Sequence, residues 1–372
     1  RKGKVEVENL NAKNYISTEN MLPNKCGITE ASSLPTVSLT QEYNSGDVLV
    51  SNIRPYFKKI WQAEYDGGCS NDVLVFVPKP NTDKDFLYYV LADDDFFTYS
   101  MATSKGTKMP RGDKTSIMQY EVPLIDLQVQ KKIASVLKAL DERIKLNNEI
   151  NNNLEQQISA LFINMFGFNI DNLVDNKFSL GDLVESVDNR GKTPPLSDKP
   201  TSYPIIDVKA LSGDIRIVDY NNCTKYVDEE TYNNWFRSGH PKQYDILIST
   251  VGSLAEMKIF LGDIGCIAQN VVGFRSKGVS PLYLYQYLNY IKSDLVAYNI
   301  GSVQPSIKVT HIIKHPIYVA PQDELDKFDS VARSITEKIF ANCQENESLK
   351  LLRDTLLPKL MSGELDVSDI DL

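Results

Sequence analysis

Two hydrophobic rhythms alternate along the chain. Short stretches with apolar residues at every second position, DVLVS at 47–51 and DILIS at 245–249, predict strands. Segments 124–166 and 321–362 instead place apolar residues at alternating steps of four and three, the spacing of a coiled-coil seam. In the first segment the seam runs Ile133, Leu137, Leu140, Ile144, then Leu154, Ile158, Leu161 and Met165, skipping Asn147 and Asn151. Adding 195 gives the second: Phe328, Ala332, Ile335, Ile339, Asn342, Asn346, Leu349, Arg353, Leu356 and Leu360. Asparagine is a poor helix former, yet it recurs at the same two places in both segments. If the segments pack antiparallel, these mid-helix amides meet each other. A seam asparagine costs stability but fixes alignment, because mispairing strands its amide against leucine.

The repetition extends beyond the helices. GDVLVS at 46–51 matches YDILIS at 244–249, and SNDVLVFVPK at 70–79 matches AQNVVGFRSK at 268–277, both at an offset of 198. GTKMPRGDKT at 106–115 matches GSVQPSIKVT at 301–310 at an offset of 195, with Gly, Pro and Thr in register. DFLYYVLADD and PLYLYQYLNYI read as short helices following the strands. One mixed α and β unit has been used twice, and the copies differ mainly at a hairpin loop, residues 52–57 against 250–255.

The expected organisation is α+β: a globular unit at 1–122, a helix at 123–166, a second unit at 167–320, a second helix at 321–362 and an acidic tail at 363–372. A helix of about 40 residues is roughly 60 Å long. The first would carry the chain from one unit to the other and the second would return it, giving an approximate two-fold repeat with a reading head at each end. Such spacing suits DNA half-sites about one turn (~34 Å) apart or somewhat more.

Composition narrows the class without choosing it. At 372 residues, staples are not needed for stability. The five cysteines, Cys26, Cys69, Cys223, Cys266 and Cys343, form no C-x-x-C pair and read as reduced thiols. The twinned spacing of Cys26 with Cys223 and of Cys69 with Cys266 suggests shared small apolar positions in the repeat. No apolar run approaches a membrane span and no signal-like stretch opens the chain, so a cytoplasmic address is expected. The net charge of −9 is unevenly spread: 14 basic against 16 acidic groups in 1–122, 15 against 16 in 167–320, but 6 against 12 in 321–372. A local basic face on each globular unit remains open.

Catalytic signatures are lacking. SVDNRGKT at 186–193 has Ser186 where a phosphate loop needs its first glycine, and the preceding LGDLVE does not read as a buried strand. KTPPL is not the N-P-P-[YF] of an adenine methyltransferase, and no glycine-rich cofactor fingerprint accompanies it. The histidines are His240, His311 and His315; the last two are spaced i, i+4 but fall where the repeat suggests a strand, so no metal site is expected. RGD at 111–113 reads as a turn beside bound phosphate.

The duplicated GDVLVS and YDILIS strands, PLIDLQVQKKIASVLKALDERI opening the first helix, GSVQPSIKVTHIIKHPI leading into the second and the closing LLRDTLLPKLMSGEL together resemble a type I restriction–modification specificity subunit. The likeness covers nearly the whole chain, and the order of these motifs is more specific than any one of them. It implies two target recognition domains, each reading one half of an interrupted site on double-stranded DNA, separated by antiparallel coiled-coil helices. It implies docking surfaces for two methyltransferase subunits and for restriction (translocase and nuclease) subunits, with S-adenosylmethionine, ATP and Mg held by those partners and no cofactor or catalysis on this chain. FSLGDLVESVDNRGKTPP opens the second unit and nothing comparable precedes Val5, so the first domain is expected to be N-terminally incomplete.

Three clusters combine positive charge with loop context. Arginine and amide side chains can bond base edges, whereas lysines and hydroxyls neutralise or position phosphates. Arg54, Tyr56, Arg111, Asn189, Arg190 and Gln304 are therefore the expected base readers. Lys58, Lys59, Lys105, Lys108, Lys114, Lys192, Thr193, Ser302, Ser306 and Lys308 are the expected phosphate contacts. Two rivals stay open: a self-sufficient methyltransferase or nuclease with fused reading domains, which would transfer methyl groups unaided, and a structural or adhesive coiled coil, which would show no salt-dependent DNA binding.

Overall fold

The computed structural model describes residues 1–172 and 178–367, so the end of the acidic tail, 368–372, and the segment 173–177 lie outside the described residues. The chain divides into two compact units, Arg1–Ile144 with Glu347–Leu372, and Lys145–Asn346. The long helices Leu127–Phe162 and Gln322–Ser362 are thus each shared in sequence between the units. No helix among the described residues is long and apolar enough to cross a membrane.

The first unit holds a three-stranded sheet in the order Ile60–Gln62, Val48–Ser51, Val73–Phe76. A four-stranded sheet in the order Lys4–Glu6, Leu39–Tyr43, Gly67–Cys69, Tyr15–Ile16 accompanies it. Period-two alternation places the two faces of the central strand in different cores. Leu49 joins Val73, Val75, Tyr43 and Cys69, while Val48 and Val50 join Phe96, Phe97 and Ile117 beneath the helices Lys84–Ala92 and Asp94–Ala102. Asp83 caps the first of these helices by accepting from the Asp85 and Phe86 amides at 3.0 Å.

The second unit repeats the frame. Ile246–Ser249 lies between Met257–Ile259 and Val271–Ser276, and Leu247 faces one core while Ile246 and Ile248 face another. The register is that of the first copy: Val48 opposes Phe76, and 198 residues later Ile246 opposes Phe274. Val184–Val187 adds a fourth strand beside Val271–Ser276.

The helices run antiparallel inside each unit. In the second, Asn147 Nδ2 donates to Asn346 Oδ1 at 2.9 Å and Asn342 Nδ2 to Asn151 Oδ1 at 2.7 Å, all four residues being buried. In the first, Ile133, Ala134 and Leu137 share a core with Leu357 and Leu360, and the Arg353 guanidinium donates to Asp141 at 2.6 Å. The expected seam drifts at its end: Leu161 and Met165 are only half-buried, while Ile158, Phe162, Phe166 and Ile170 are buried. Steps of four replace the four-three rhythm because the helix widens into a π turn at Ile163–Gly167, turning the rings toward Tyr283 and Phe328.

A second set of contacts holds the globular part of this unit to its helices. Arg216, 1% exposed in its side chain, donates through Nε and Nη2 to Glu155 on the first long helix and through Nη1 to Thr336 on the second. Lys258, equally buried, donates to the carbonyls of Gly213 and Ile215, fixing the segment that carries Arg216. Burial lowers the Lys258 pKa. A buried ion pair this fully bonded is costly to break from one side.

Two expectations are corrected. His311 lies in the short helix Val309–Ile312, the counterpart of Lys114–Ile117, and not in a strand; His315 follows it and bonds Tyr298 Oη at 2.9 Å. Cys69 and Cys266 occupy equivalent buried strand positions, but Cys26 is exposed where Cys223 is buried, so only the former pair reflects a shared apolar site. LGDLVE is, as expected, no buried strand: Leu180–Leu183 is helical, and the strand Val184–Val187 that follows has two exposed central residues.

Candidate nucleic-acid interface

In each unit the strand ending in Ser51 or Ser249 delivers the chain to a hairpin tip. The serine hydroxyl turns inward to the tip backbone, Ser51 to the Ile53 carbonyl at 3.1 Å and Ser249 to the Ser253 carbonyl at 2.5 Å. In the first tip, Arg54 and Lys58 both take left-handed φ values of 50° around a single 3-10 turn, Pro55–Phe57. In the second, Gly252 at φ 86° and Ala255 at φ 55° make a tip one residue shorter.

A distant loop is laced to each tip by the same backbone bonds. Arg54 N donates to Pro110 O at 2.8 Å and Gly112 N to Asn52 O at 3.0 Å; in the second copy Gly252 N donates to Pro305 O at 3.0 Å and Ile307 N to Thr250 O at 2.9 Å. Bridges between Ile53 and Arg111, and between Val251 and Ser306, complete the match. The proline shared by GTKMPR and GSVQPS is therefore the residue whose carbonyl anchors the tip. The shared glycine is also needed: Gly106 sits at φ 93°, and a Cβ on Gly301 would lie 1.8 Å from the Gln304 carbonyl oxygen.

This lacing brings several expected site residues together. In the first unit Arg54 and the exposed Tyr56 share the tip with Lys58 and Lys59, and Arg111 joins them from the laced loop, bridged to Lys105. Lys108 and Lys114 are exposed on the same loop and at the start of the following helix. Several of these cations already have partners. Arg111 pairs with Asp72 at 2.9 Å, Lys58 with Asp94 at 2.7 Å, and Lys105 with Asp113. Lys59 turns inward to the Thr18 carbonyl at 2.6 Å, and burial lowers its pKa. Arg54 Nε is buried without a hydrogen-bond partner. The RGD tripeptide is a cap: Asp113 accepts from the Thr115 and Ser116 amides at 3.0 and 3.1 Å.

In the second unit Ser302, Gln304 and Ser306 lie on the laced loop, with Gln304 and Ser302 exposed and the Ser306 amide held by Asn299 Oδ1 at 2.9 Å. Lys308 is exposed just before the helix Val309–Ile312. The loop 188–193 approaches from another side, where Thr193 Oγ1 accepts from Gln269 Nε2 at 2.8 Å and the neighbouring Asn270 carbonyl accepts from the Thr250 amide. Asn189 is occupied within the fold, its amide donating to Gly239 O at 2.8 Å and accepting from Ser238 N at 2.9 Å. Arg190 makes a two-pronged pair with Asp188 at 2.9 and 2.6 Å, whose hydrogen bonds hold that carboxyl below its ordinary range. Lys192 is exposed.

Sequence reasoning missed the acidic anchors Asp72, Asp94 and Asp188, and the exposed Arg237, whose guanidinium donates to the Arg190 carbonyl at 2.9 Å. Their partners are distant in sequence or only geometrically defined, so spacing gave no signal. Val303, 98% exposed at the crest of the second laced loop, was visible by comparison with Lys108 in the first.

Comparison with known proteins follows the duplication. The family model described as type I restriction modification DNA specificity domain matches residues 4–156 and again 175–342, once over each copy. The chain is 24% identical over 437 residues to the type I restriction enzyme HindI specificity subunit of Haemophilus influenzae, covering 94% of each chain. It is 24% identical over 314 residues to the MjaIX specificity subunit of Methanocaldococcus jannaschii, covering 79% of this chain and 72% of that one. The crystal structure of a type I restriction–modification S subunit from M. genitalium shares the fold, with a TM-score of 0.52 at 16% identity over 99% of this chain and 94% of that one. The duplicated scaffold is that of a DNA-recognition protein. The chain belongs to the type I restriction–modification DNA specificity family.

Proposed function

We propose that this chain recognises a bipartite, interrupted site on double-stranded DNA, one half-site at each laced tip, as part of a type I restriction–modification complex. The observation that carries the reading is the repeated lacing: identical backbone bonds hold both tips, while the side chains they present differ. A scaffold conserved in its hydrogen bonds and varied in its exposed side chains suits two unlike half-sites. Exposed Lys105, Lys108 and Lys114 supply phosphate neutralisation, and Arg111, held only by a surface ion pair of small net worth, is available to exchange Asp72 for a guanine edge.

The helix pair sets the separation between half-sites, and the Asn147–Asn346 and Asn151–Asn342 pairs fix its register. Two methyltransferase subunits dock on this chain and supply S-adenosylmethionine and the adenine chemistry; restriction subunits supply ATP, Mg and cleavage. Catalysis belongs to those partners, and this chain supplies the address.

Methylome mapping of cells that express the chain with its methyltransferase subunit tests the reading. The expected result is one motif of two unlike half-sites separated by a fixed spacer. A contiguous motif, or methyl transfer by the purified chain alone, overturns it.

A further inference from the structure

The two laced loops match residue for residue at an offset of 195, and their crests differ in kind. The first copy carries Thr107, Lys108, Met109 and Arg111 where the second carries Ser302, Val303, Gln304 and Ser306. At the facing tip, Arg54 stands where the second copy has Gly252. Across 250–255 and 301–306 the second copy holds no charged residue at all.

Val303 is 98% exposed on a loop that is not free to fold it away. The Ile300 amide donates to the Ser306 carbonyl at 2.9 Å, the Gly301 amide to Asn299 Oδ1 at 3.0 Å, and the Pro305 carbonyl accepts from the hairpin tip. The backbone therefore holds an apolar side chain and an exposed amide out together, at consecutive positions about 3.8 Å apart. At the equivalent position the first copy presents a lysine, the residue expected against a nucleic-acid backbone. Because the same lacing presents both crests, they face the same kind of ligand, and the second must engage it without charge.

We propose that the 301–306 loop reads an A·T base pair in the major groove, with the Val303 methyls against the thymine C5-methyl and the Gln304 amide on the adenine N6 and N7 edge. This inference rests on the proposed DNA-reading function. Among the four bases only thymine offers an apolar group in the major groove, and adenine presents the donor–acceptor pair that a glutamine amide matches. A cationic crest would be drawn to phosphates or guanine instead. The half-site bound by the second unit is accordingly read with little help from phosphate contacts at this loop.

The test uses the full chain with its methyltransferase subunit and duplexes carrying the mapped site. Each thymine is replaced in turn by deoxyuridine, which removes only the C5-methyl group. One replacement should weaken binding by the wild-type chain about fourfold, the worth of one buried methyl-sized group, and leave Val303→Ala unaffected. Replacing the paired adenine by 7-deazaadenine should weaken the wild type but not Gln304→Ala. Both substitutions lie on an exposed crest, where effects on folding are small. If no deoxyuridine position distinguishes the wild type from Val303→Ala, the inference is overturned while the proposed function stands. If mapping yields no two-part site, the proposed function itself fails.

Discussion

The two hairpin tips share a backbone and little else. Both are pinned by a strand-end serine and by a loop whose proline carbonyl accepts from the tip, yet one presents Arg54, Tyr56, Lys108 and Arg111 while the other presents Gly252, Val303 and Gln304. The lesson is where each constraint acts. Backbone bonds inside a laced loop must be satisfied whatever the side chains do, so the scaffold survives duplication, whereas the side chains at the crest make none of the lacing bonds and are free to diverge.

The units also differ in how they grip their helices. The second is held by the Arg216–Glu155–Thr336 network, the first by Lys138 with Asp85 at 3.0 Å, a more exposed pair. Arg216→Ala should therefore break the comparison most severely. Leaving Glu155 unpaired in a buried setting should cost about 3–5 kcal/mol, read as lost hydrogen-exchange protection within 145–346. Lys138→Ala should cost less; equal losses would show that burial does not separate the two grips.

Next in size, Asn342→Leu deprives Asn151 of its donor and should destabilise the helix pair by about 1–3 kcal/mol in thermal unfolding. Replacing all four seam asparagines by leucine should restore stability but blur the spacer length in the methylome. An unchanged single spacer would sink the register role. At the first tip, Arg111→Ala should cost about 1–3 kcal/mol on the specific site and relax one base position. Equal losses on every sequence would make it a phosphate contact. Removing Lys105, Lys108 and Lys114 together should flatten the salt dependence of binding by about 0.9 in slope for each phosphate left without its lysine, whereas Val303→Ala should leave the slope unchanged.

The smallest effect is with pH. All three histidines lie in the second unit, and burial lowers the pKa of both His240 and His315 below the ordinary 6.5. A depressed folded pKa means that the unfolded state binds more protons, so this stability is full above about pH 6.5 and is lost as pH falls toward the folded values. Hydrogen exchange at pH 7.5 and 5.5 should show the second unit loosening before the first, which contains no histidine. Simultaneous loosening would assign the effect to carboxylates instead.

Much of this organisation was legible in the sequence because it is written in local periods. Strands at DVLVS and DILIS, long helices at 124–166 and 321–362, and the twinned asparagines all follow from spacing, and the structure places Asn147 against Asn346 and Asn151 against Asn342. The candidate site was legible only as a set of loops. Asn189 looked like a base reader, yet its amide is occupied by Gly239 and Ser238, some 50 residues away. Lys59 looked like a phosphate contact but turns inward to Thr18.

The amino-acid order by itself determined the duplication, the strand and helix frame, and the two positions where amides interrupt each seam, because period and offset need no knowledge of what packs where. Tertiary structure alone decided which loop is laced to which tip, which cations are already paired, and that Arg216 and Lys258 are buried. Those outcomes depend on backbone groups and side chains far apart in the chain finding one another in three dimensions, and linear spacing carries no record of that meeting.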